Sequence, residues 1–450
     1  MKKFILYIIT FLCLLIFVLN ANIFNTGIVF ASPKTTLYKE DLAQALLMKL
    51  QNTQSLNDEI ELLYKHLDVL CDSNTQYFSY KIKEIENLMD KYRENIVLTA
   101  RNYAQNKEYQ NAVEFLESKS NLFKDKTTIN SLISHYSKFF VKDGLYYYEN
   151  EPNVVAVNKL IAYSNLAFKD NPNYENLDNL YLTSKEFNNL LNELYINDYI
   201  LIDIYDYLDI SGENVFKRDL YLPLDKKPII LLFNNINYSD NENCFIDKFI
   251  IDAKDKIATF SSKQTEKNQI SYNADFIPIL ENFIDENKNF SFNNARGVIS
   301  FDKNNNILGY NINKTNPNSA SEIQTLKKIA SYLKDKNYKF AYGNFVNNTN
   351  IIEPEETNYV KETLFNIFST INIYISPNKT NNINSYYKSL YDIGFRIFLD
   401  NSNKQTLIKN NFIFLSYVNF NGKFLREKND YLGLNYEKIY DHNNRYKIFN

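Results

Sequence analysis

Histidine is scarce in this 450-residue chain, with copies only at His66, His135 and His442. No imidazole can come from residues 136–441, which excludes histidine-based metal and acid–base sites built within that range. Three cysteines are too few for a disulfide scaffold. Glycine is also scarce, with nine copies, and tryptophan is absent.

The remaining composition is that of a folded protein, with 45% hydrophobic and 23% charged residues. Fifty basic side chains against 53 acidic ones give a net charge of −3. This balance excludes a basic nucleic-acid binder, so no nucleic-acid partner is expected. At ~100–200 residues per domain, the length predicts two or three domains. The abundance of Tyr, Phe and Asn reflects coding bias and carries no chemistry by itself.

The first segment has the layout of an export signal. Lys2 and Lys3 precede an apolar run at 4–19, and Val29-Phe30-Ala31 fits a cleavage site after Ala31. We therefore predict a signal peptide at 1–31 and an extracellular or cell-envelope location, with an uncleaved membrane anchor as the alternative. The exported chain keeps Cys71 and Cys244, either as thiols or as one bridge.

Residues 32–150 show helical apolar spacing, and no candidate chemistry is found there. Tyr109, Ala112 and Phe115 resemble the second helix of a tetratricopeptide hairpin, but any pair of antiparallel helices produces this spacing. A helical bundle and a helical repeat both stay open. The apolar positions are Leu42, Leu46, Leu47, Leu50, Ile60, Leu63, Leu67, Leu70, Ile82, Ile85, Met89, Tyr92, Ile96, Tyr103 and Ala104.

After a linker at 149–152, strand-length apolar runs alternate with helical stretches. Continuous runs such as 229–233 are typical of parallel strands covered on both faces. The alternation predicts either a (β/α) barrel or a doubly wound sheet, with working residues at the carboxyl ends of the strands. The predicted strands are 199–204, 228–233, 296–301, 339–345, 371–375, 395–399 and 412–418, and the predicted helices are 184–195, 276–287, 320–336, 355–369 and 382–393.

Several segments of 158–450, in order, resemble the polysaccharide deacetylase family (NodB-like, carbohydrate esterase family 4), in particular its larger exported members. The resemblance implies an α/β fold, a distorted (β/α) barrel of the polysaccharide-deacetylase type at 158–450, preceded by the all-α region at 32–150. The segments are 182–187 (LTSKEF), 190–194, 199–204 (YILIDI), 221–223 (YLP), 226–231 (KKPIIL), 237–238, 276–283 (FIPILENF), 295–299 (ARGVI), 308–310 (LGY), 394–398 (GFRIF) and, more loosely, 430–433 (DYLG).

The same resemblance implies that the catalytic site is degenerate. The family's paired aspartates, a general base and a metal ligand, correspond to Asn234 and Asn235 here. Gly343 and Asn347 stand where two metal-binding histidines are expected, and Pro377 remains from a motif whose arginine is absent. An amide cannot act as a base at neutral pH. We therefore expect no metal, no cofactor and no catalytic residues; an oxygen-only metal site from Asp240, Glu242 or Asp302 is the alternative.

A preserved scaffold with this site is expected to keep a neutral groove rich in amides and aromatic rings. Such side chains stack on sugar rings and bond their hydroxyl groups. We predict binding of cell-wall polysaccharide or peptidoglycan without hydrolysis. The alternatives are an interaction or structural protein that binds an envelope protein through the N-terminal helices, and a diverged deacetylase with a non-standard metal site. The candidate groove residues are Asn234, Asn235, Tyr238, Phe345, Asn347 and Arg396.

Overall fold

A computed structural model describes residues 76–123, 125–169, 171–238, 243–265, 269–303, 306–343, 354–369, 371–376, 385–401, 406–409, 411–427 and 431–445, and residues 45, 48, 49, 58 and 62. The predicted signal peptide and Cys71 fall outside these residues, whereas Cys244 is buried. The chain divides into two compact units, with the boundary between Phe140 and Val141. No helix in the described ranges combines the length and hydropathy of a membrane span.

Residues 76–140 of the smaller unit form three helices: α1 (Gln76–Gln105), α2 (Tyr109–Ser120) and α3 (Thr127–Ser137). Helix α2 packs on both of its neighbours. Ala100 and Ala112 are fully buried, and such small side chains let helices approach closely. This consecutive packing fits the bundle and the repeat interpretation equally well.

The larger unit is a mixed α/β fold. Its helices are α4 (Ser164–Phe168), α5 (Tyr174–Leu180), α6 (Ser184–Ile196), α7 (Ile204–Tyr207), α8 (Phe276–Glu286), α9 (Ser319–Asp335), α10 (Pro354–Asn358), which continues as a π-helical turn (Tyr359–Leu364), α11 (Phe365–Phe368), α12 (Ser385–Ile393), α13 (Gly422–Glu427) and α14 (Tyr436–Ile439), with 3-10 turns at Lys288–Phe290 and Phe292–Asn294.

Nineteen strands lie among these helices in the described residues. They are β1 (Tyr146–Tyr147), β2 (Asn153–Asn158), β3 (Tyr199–Leu201), β4 (Leu208–Ser211), β5 (Asn214–Lys217), β6 (Tyr221–Leu222), β7 (Lys227–Asn234), β8 (Lys248–Ile251), β9 (Ile257–Phe260), β10 (Ile270–Ser271), β11 (Val298–Phe301), β12 (Asn306–Ile307), β13 (Tyr310–Asn311), β14 (Lys339–Gly343), β15 (Ile373–Ser376), β16 (Ile397–Asp400), β17 (Leu407–Lys409), β18 (Phe412–Ser416) and β19 (Val418–Asn419).

Ten of these strands form the central sheet, in the order β17-β18-β16-β15-β14-β11-β7-β2-β19, with β3 also paired to β7. All pairings are parallel except that of β17 with β18. In the register, Asn158 at the end of β2 lies opposite Asn234 at the end of β7. The other strands form small antiparallel sheets.

Side chains alternate between two cores on the two faces of this sheet. On β7, Ile229, Leu231 and Phe233 belong to one core, and Ile230 and Leu232 belong to the other. The first core also contains the apolar faces of α6 and α8, whereas the second collects residues from every long parallel strand. This double burial explains the continuous apolar runs in the sequence.

The sheet is curled so strongly that its two ends are joined by adjacent residues. Strands β18 and β19 are separated only by Tyr417, yet β18 pairs with β16 and β19 pairs with β2 at the far end. The main-chain N–H of Tyr417 donates to the Asp400 carbonyl oxygen at 2.8 Å, and that of Phe420 donates to the Ala156 carbonyl oxygen at 2.8 Å. The segment at 412–419 therefore bridges both ends.

Several predicted boundaries need correction. Strands expected to start at 296, 371 and 395 each start two residues later. The strand expected at 199–204 ends at Leu201, because the Asp203 side chain accepts from the Tyr205 N–H at 2.9 Å and begins a helix. Strand β2 was missed altogether. A boundary at 158 would cut β2 away from the sheet to which it belongs.

Candidate functional site

The carboxyl ends of the parallel strands meet at one edge of the curled sheet, which we call the carboxyl edge. In parallel α/β folds, functional groups collect where these strands end. The side chains that follow the last apolar residues of each strand are therefore the candidate site residues. The terminal residues are Asn158, Asn234, Phe301, Gly343, Ser376, Asp400 and Ser416.

At this edge a layer of polar side chains covers the second core, the one that contains Ile230 and Leu232. Alternation along the strands brings Asn234, Ser300 and Tyr417 to the same face as the apolar residues two positions before them. The Ser300 hydroxyl donates to Asn234 Oδ1 at 3.2 Å, and the Asn234 side chain also bonds the Tyr417 hydroxyl. All three side chains are buried. The amide at the expected position of the catalytic base is thus held between three strand ends.

Tyr417 adds no ionisable group to this layer near neutral pH. Burial raises the pKa of its hydroxyl to about 12, and the Asp400 carboxylate acts in the same direction, while the Asn234 bond opposes them. Asp400 itself is buried and accepts from the Ser416 hydroxyl at 3.3 Å. The sequence analysis missed Asp400, although its place at the end of a predicted strand was a usable signal.

Asn235 is the exposed member of the predicted pair. Its backbone is left-handed, with φ +53°, a conformation that Asn tolerates better than most residues. Its N–H donates to Ser300 Oγ at 3.0 Å, and its Oδ1 accepts from Asn237 Nδ2 at 2.7 Å. Its own Nδ2 has no acceptor among the described residues. The turn therefore presents one amide donor to solvent.

Asn237 is a site residue that the sequence analysis did not single out. It is buried, and its Nδ2 also donates to Asp302 Oδ1 at 2.6 Å. Within the described part of the chain, its Oδ1 has no hydrogen-bond partner. A buried acceptor without a partner costs ~1–3 kcal/mol, which makes it a candidate contact for a ligand. Its carbonyl oxygen accepts from Lys159 Nζ at 3.3 Å.

Tyr238 follows this turn but lies in the core instead of a groove. It is buried, and its hydroxyl donates to Asp275 Oδ2 at 2.7 Å. Asp275 is fully buried and caps α8. Burial raises the pKa of Asp275 to about 7, although this hydrogen bond and the charge of Lys159 both lower it. We therefore remove Tyr238 from the candidate groove.

Arg396 lies at the opposite, amino end of β16. Its guanidinium stacks on the Tyr391 ring at 3.4 Å, and its Nη1 donates to the carbonyl oxygens of Tyr391 at 2.7 Å and Phe395 at 2.9 Å. These contacts tie helix α12 to the next strand. The predicted role of Arg396 at the carboxyl edge therefore needs correction, because the length of the strand separates the two.

Other predicted positions are less informative. Gly343 is buried at the end of β14, opposite Ile375. Phe345, Asn347, Pro377, Asp240 and Glu242 lie outside the described residues. Asp302, from the proposed oxygen-only metal site, lies at the carboxyl edge beside Asn237.

The described residues contain no group of three or more His, Cys, Asp or Glu side chains that could hold a metal ion. His135 lies on α3 in the smaller unit, and His442 bonds Glu437 at 3.0 Å with more than half of its side chain exposed.

Comparison of the chain with models of protein families, with curated proteins and with solved structures found no match. The resemblance to polysaccharide deacetylases therefore stays a prediction from the sequence.

Proposed function

We propose that the chain is an exported cell-envelope protein that binds cell-wall glycan at the carboxyl edge without hydrolysing it. The observation that carries the proposal is the state of Asn234. It occupies the position of the expected base, is buried, and is held by Ser300 and Tyr417. An amide in such a place can position a neighbouring group, but it cannot accept a proton from water.

The proposed fold is the distorted (β/α) barrel of the deacetylase type. Its support is the segment at 412–419, in which β18 pairs with β16 and β19 pairs with β2. With these pairings, parallel strands surround the core that contains Ile230 and Leu232. In a barrel of this kind the polar ends of the strands line a depression. The Asn234 layer and the exposed Asn235 would then form its floor and part of its wall.

The chemistry of the edge suits a neutral, hydroxyl-rich ligand. Asn235 offers an amide donor, and Asn237 offers a buried acceptor without a partner in the described residues. Sugar hydroxyl and acetamido groups both donate and accept, so they can satisfy both. Satisfying a buried acceptor would contribute to affinity, because the free protein carries the cost of leaving it unpaired.

The test is calorimetric titration of the full chain with chitotriose and soluble peptidoglycan fragments. We expect binding by the unmodified protein and at least a ~10-fold loss in Asn235→Ala, which corresponds to ~1.4 kcal/mol. Asn214→Ala, at an exposed position on the β4–β5 hairpin, is the matched control and should bind normally. Absence of binding, or equal binding by both variants, would contradict the proposal.

A diverged hydrolase is the second candidate, and Asp302 is the observation that favours it, since its carboxylate lies at the edge beside Asn237. Deacetylation of chitotriose that disappears in Asp302→Asn would establish it. The family assignment has a separate test, in which Asn234→Asp, Asn235→Asp, Gly343→His and Asn347→His are combined. A folded quadruple variant that takes up no zinc would contradict our placement of the degenerate metal site.

A further inference from the structure

A concave surface lies between α6, α8 and strand β10. We call it the α6–α8 cleft. Its volume is about 750 Å³, within the ~300–1,000 Å³ typical of small-molecule sites. Buried apolar side chains, including Ile279 and Phe283, line part of it. Nothing in the carboxyl-edge site uses these residues.

The walls of the cleft are fixed by their own hydrogen bonds. The Tyr272 hydroxyl donates to Asp252, and the Tyr272 carbonyl oxygen accepts from Asn282 Nδ2 at 3.0 Å. The Ser184 hydroxyl donates to the carbonyl oxygens of Ala274 at 2.5 Å and Ile161 at 3.2 Å. A site held in this way loses little conformational entropy when a ligand binds.

Four amide side chains in the cleft have unused hydrogen-bonding capacity. Asn188 and Gln264 make no side-chain hydrogen bond within the described residues. Among the described residues, Asn282 bonds only through its Nδ2, which leaves its Oδ1 available. Asn273 accepts from Ser271 through its Oδ1, which leaves its Nδ2 available. Together they offer several donors and acceptors on one concave surface.

The cleft is almost neutral, which restricts the ligand class. Its charged lining residues among those that the structure describes are Lys185 and Glu286, and Lys185 already pairs with Asp441 Oδ1 at 2.9 Å. A phosphorylated or strongly acidic ligand would find no cluster of cations there. The rings of Tyr163 and Tyr272 provide flat surfaces beside the amides. Aromatic rings, amides and apolar side chains in one lining match the hydroxyl edges and apolar faces of a pyranose.

We propose that the α6–α8 cleft binds a short neutral oligosaccharide, as a site separate from the carboxyl edge. The Tyr272 ring would stack on a sugar face, while Asn188, Gln264, Asn273 and Asn282 bond its hydroxyl groups. This inference does not depend on the proposed function, because the two sites are described by different residues.

The test is titration of the full chain with chitotriose and with cellotriose, by calorimetry and by competition. Asn188→Ala should weaken binding at least 5-fold and Tyr272→Ala at least 10-fold. Asn192→Ala, on the same helix and exposed but outside the cleft, is the matched control and should bind as the unmodified protein does. Urea unfolding of each variant should show an unchanged midpoint for Asn188→Ala, whose side chain makes no hydrogen bond to another described residue.

The two sites fail separately in this experiment. Affinity that falls in Asn188→Ala and Tyr272→Ala but not in Asn235→Ala supports the cleft and counts against the carboxyl edge. The reverse pattern overturns the cleft. Absence of binding to both sugars at millimolar concentration also overturns the cleft proposal. So does the result that Asn188→Ala weakens binding of a peptide or phosphate probe and leaves sugar binding unaffected.

Discussion

Two buried polar clusters of the larger unit differ in how completely their hydrogen bonds are satisfied. In the Arg445 cluster, Arg445 Nε and Nη2 bond both carboxylate oxygens of Glu186 at 2.8 and 2.6 Å, and Nη1 bonds the Asp178 carbonyl oxygen at 2.9 Å. At the carboxyl edge, Asn237 Oδ1 is buried with no partner among the described residues, and Asn235 is exposed.

This difference separates a structural cluster from a candidate binding site. Arg445, Glu186 and Asp178 are almost completely buried and join the C-terminal residues to α5 and α6. A buried charge remains compatible with folding only when its partners are complete. An unsatisfied amide is neutral and costs less, so a protein can keep one available for a ligand.

The largest effect is expected where the satisfied cluster is broken. Arg445→Met leaves Glu186 buried without its cation and Asp178 paired with Arg426 alone, which should lower the free energy of unfolding by ~3–5 kcal/mol. Arg218→Met is the control, because Arg218 is about half exposed in its pair with Asp209 and should lose less than ~1 kcal/mol. Urea unfolding measures both, and similar losses would remove the distinction between the clusters.

Asp275 is intermediate between the two clusters in how completely it is satisfied. It is buried and accepts hydrogen bonds from Tyr238 and Phe276, and the positive charge near it is that of Lys159. Burial raises its pKa from 3.8 to about 7. Between these two pH values the folded state therefore holds a proton that the unfolded state has released. Stability should therefore fall as pH rises from about 4 to about 7, by at most ~1.4 kcal/mol per pH unit, and then level off.

Asp275→Asn removes this titration while its side-chain oxygen can still accept hydrogen bonds. Urea midpoints of both proteins across this pH window should show the variant gaining stability relative to the unmodified chain. A difference that stays constant with pH would mean that Asp275 is charged in the folded protein.

The smallest effect on stability is expected at Asn235. Asn235→Gly removes the hydrogen bond that Asn235 Oδ1 accepts, which destabilises the fold, but Gly adopts the positive φ at this position without strain, which stabilises it. Because the two effects oppose each other, we expect the free energy of unfolding to change by less than ~0.5 kcal/mol. Glycan affinity should nevertheless fall as in Asn235→Ala. A stability loss above ~1 kcal/mol would assign Asn235 to the structure instead of to binding.

The predicted and observed elements agree where the pattern is local. Helices α6, α8 and α9 begin and end within one residue of their predicted bounds, because amphipathic spacing and caps such as Thr183 with Glu186 are read directly from the chain. Strand β2 was missed because Val154–Val157 is short and follows a proline, which resembles a linker. Only its pairing between β7 and β19 identifies it as a strand.

The sequence by itself determined that a mainly parallel α/β sheet follows a helical region, and that Asn234 and Asn235 lie at the carboxyl end of one of its strands. Strand length, burial on both faces and helical spacing are short-range properties, so they can be predicted from the local sequence. The tertiary structure alone decided the composition of the edge. It brought Asn237 to Asp302 across 65 residues, turned Tyr238 into the core and left Arg396 at the opposite end, because curling of the sheet depends on pairings that no local pattern encodes.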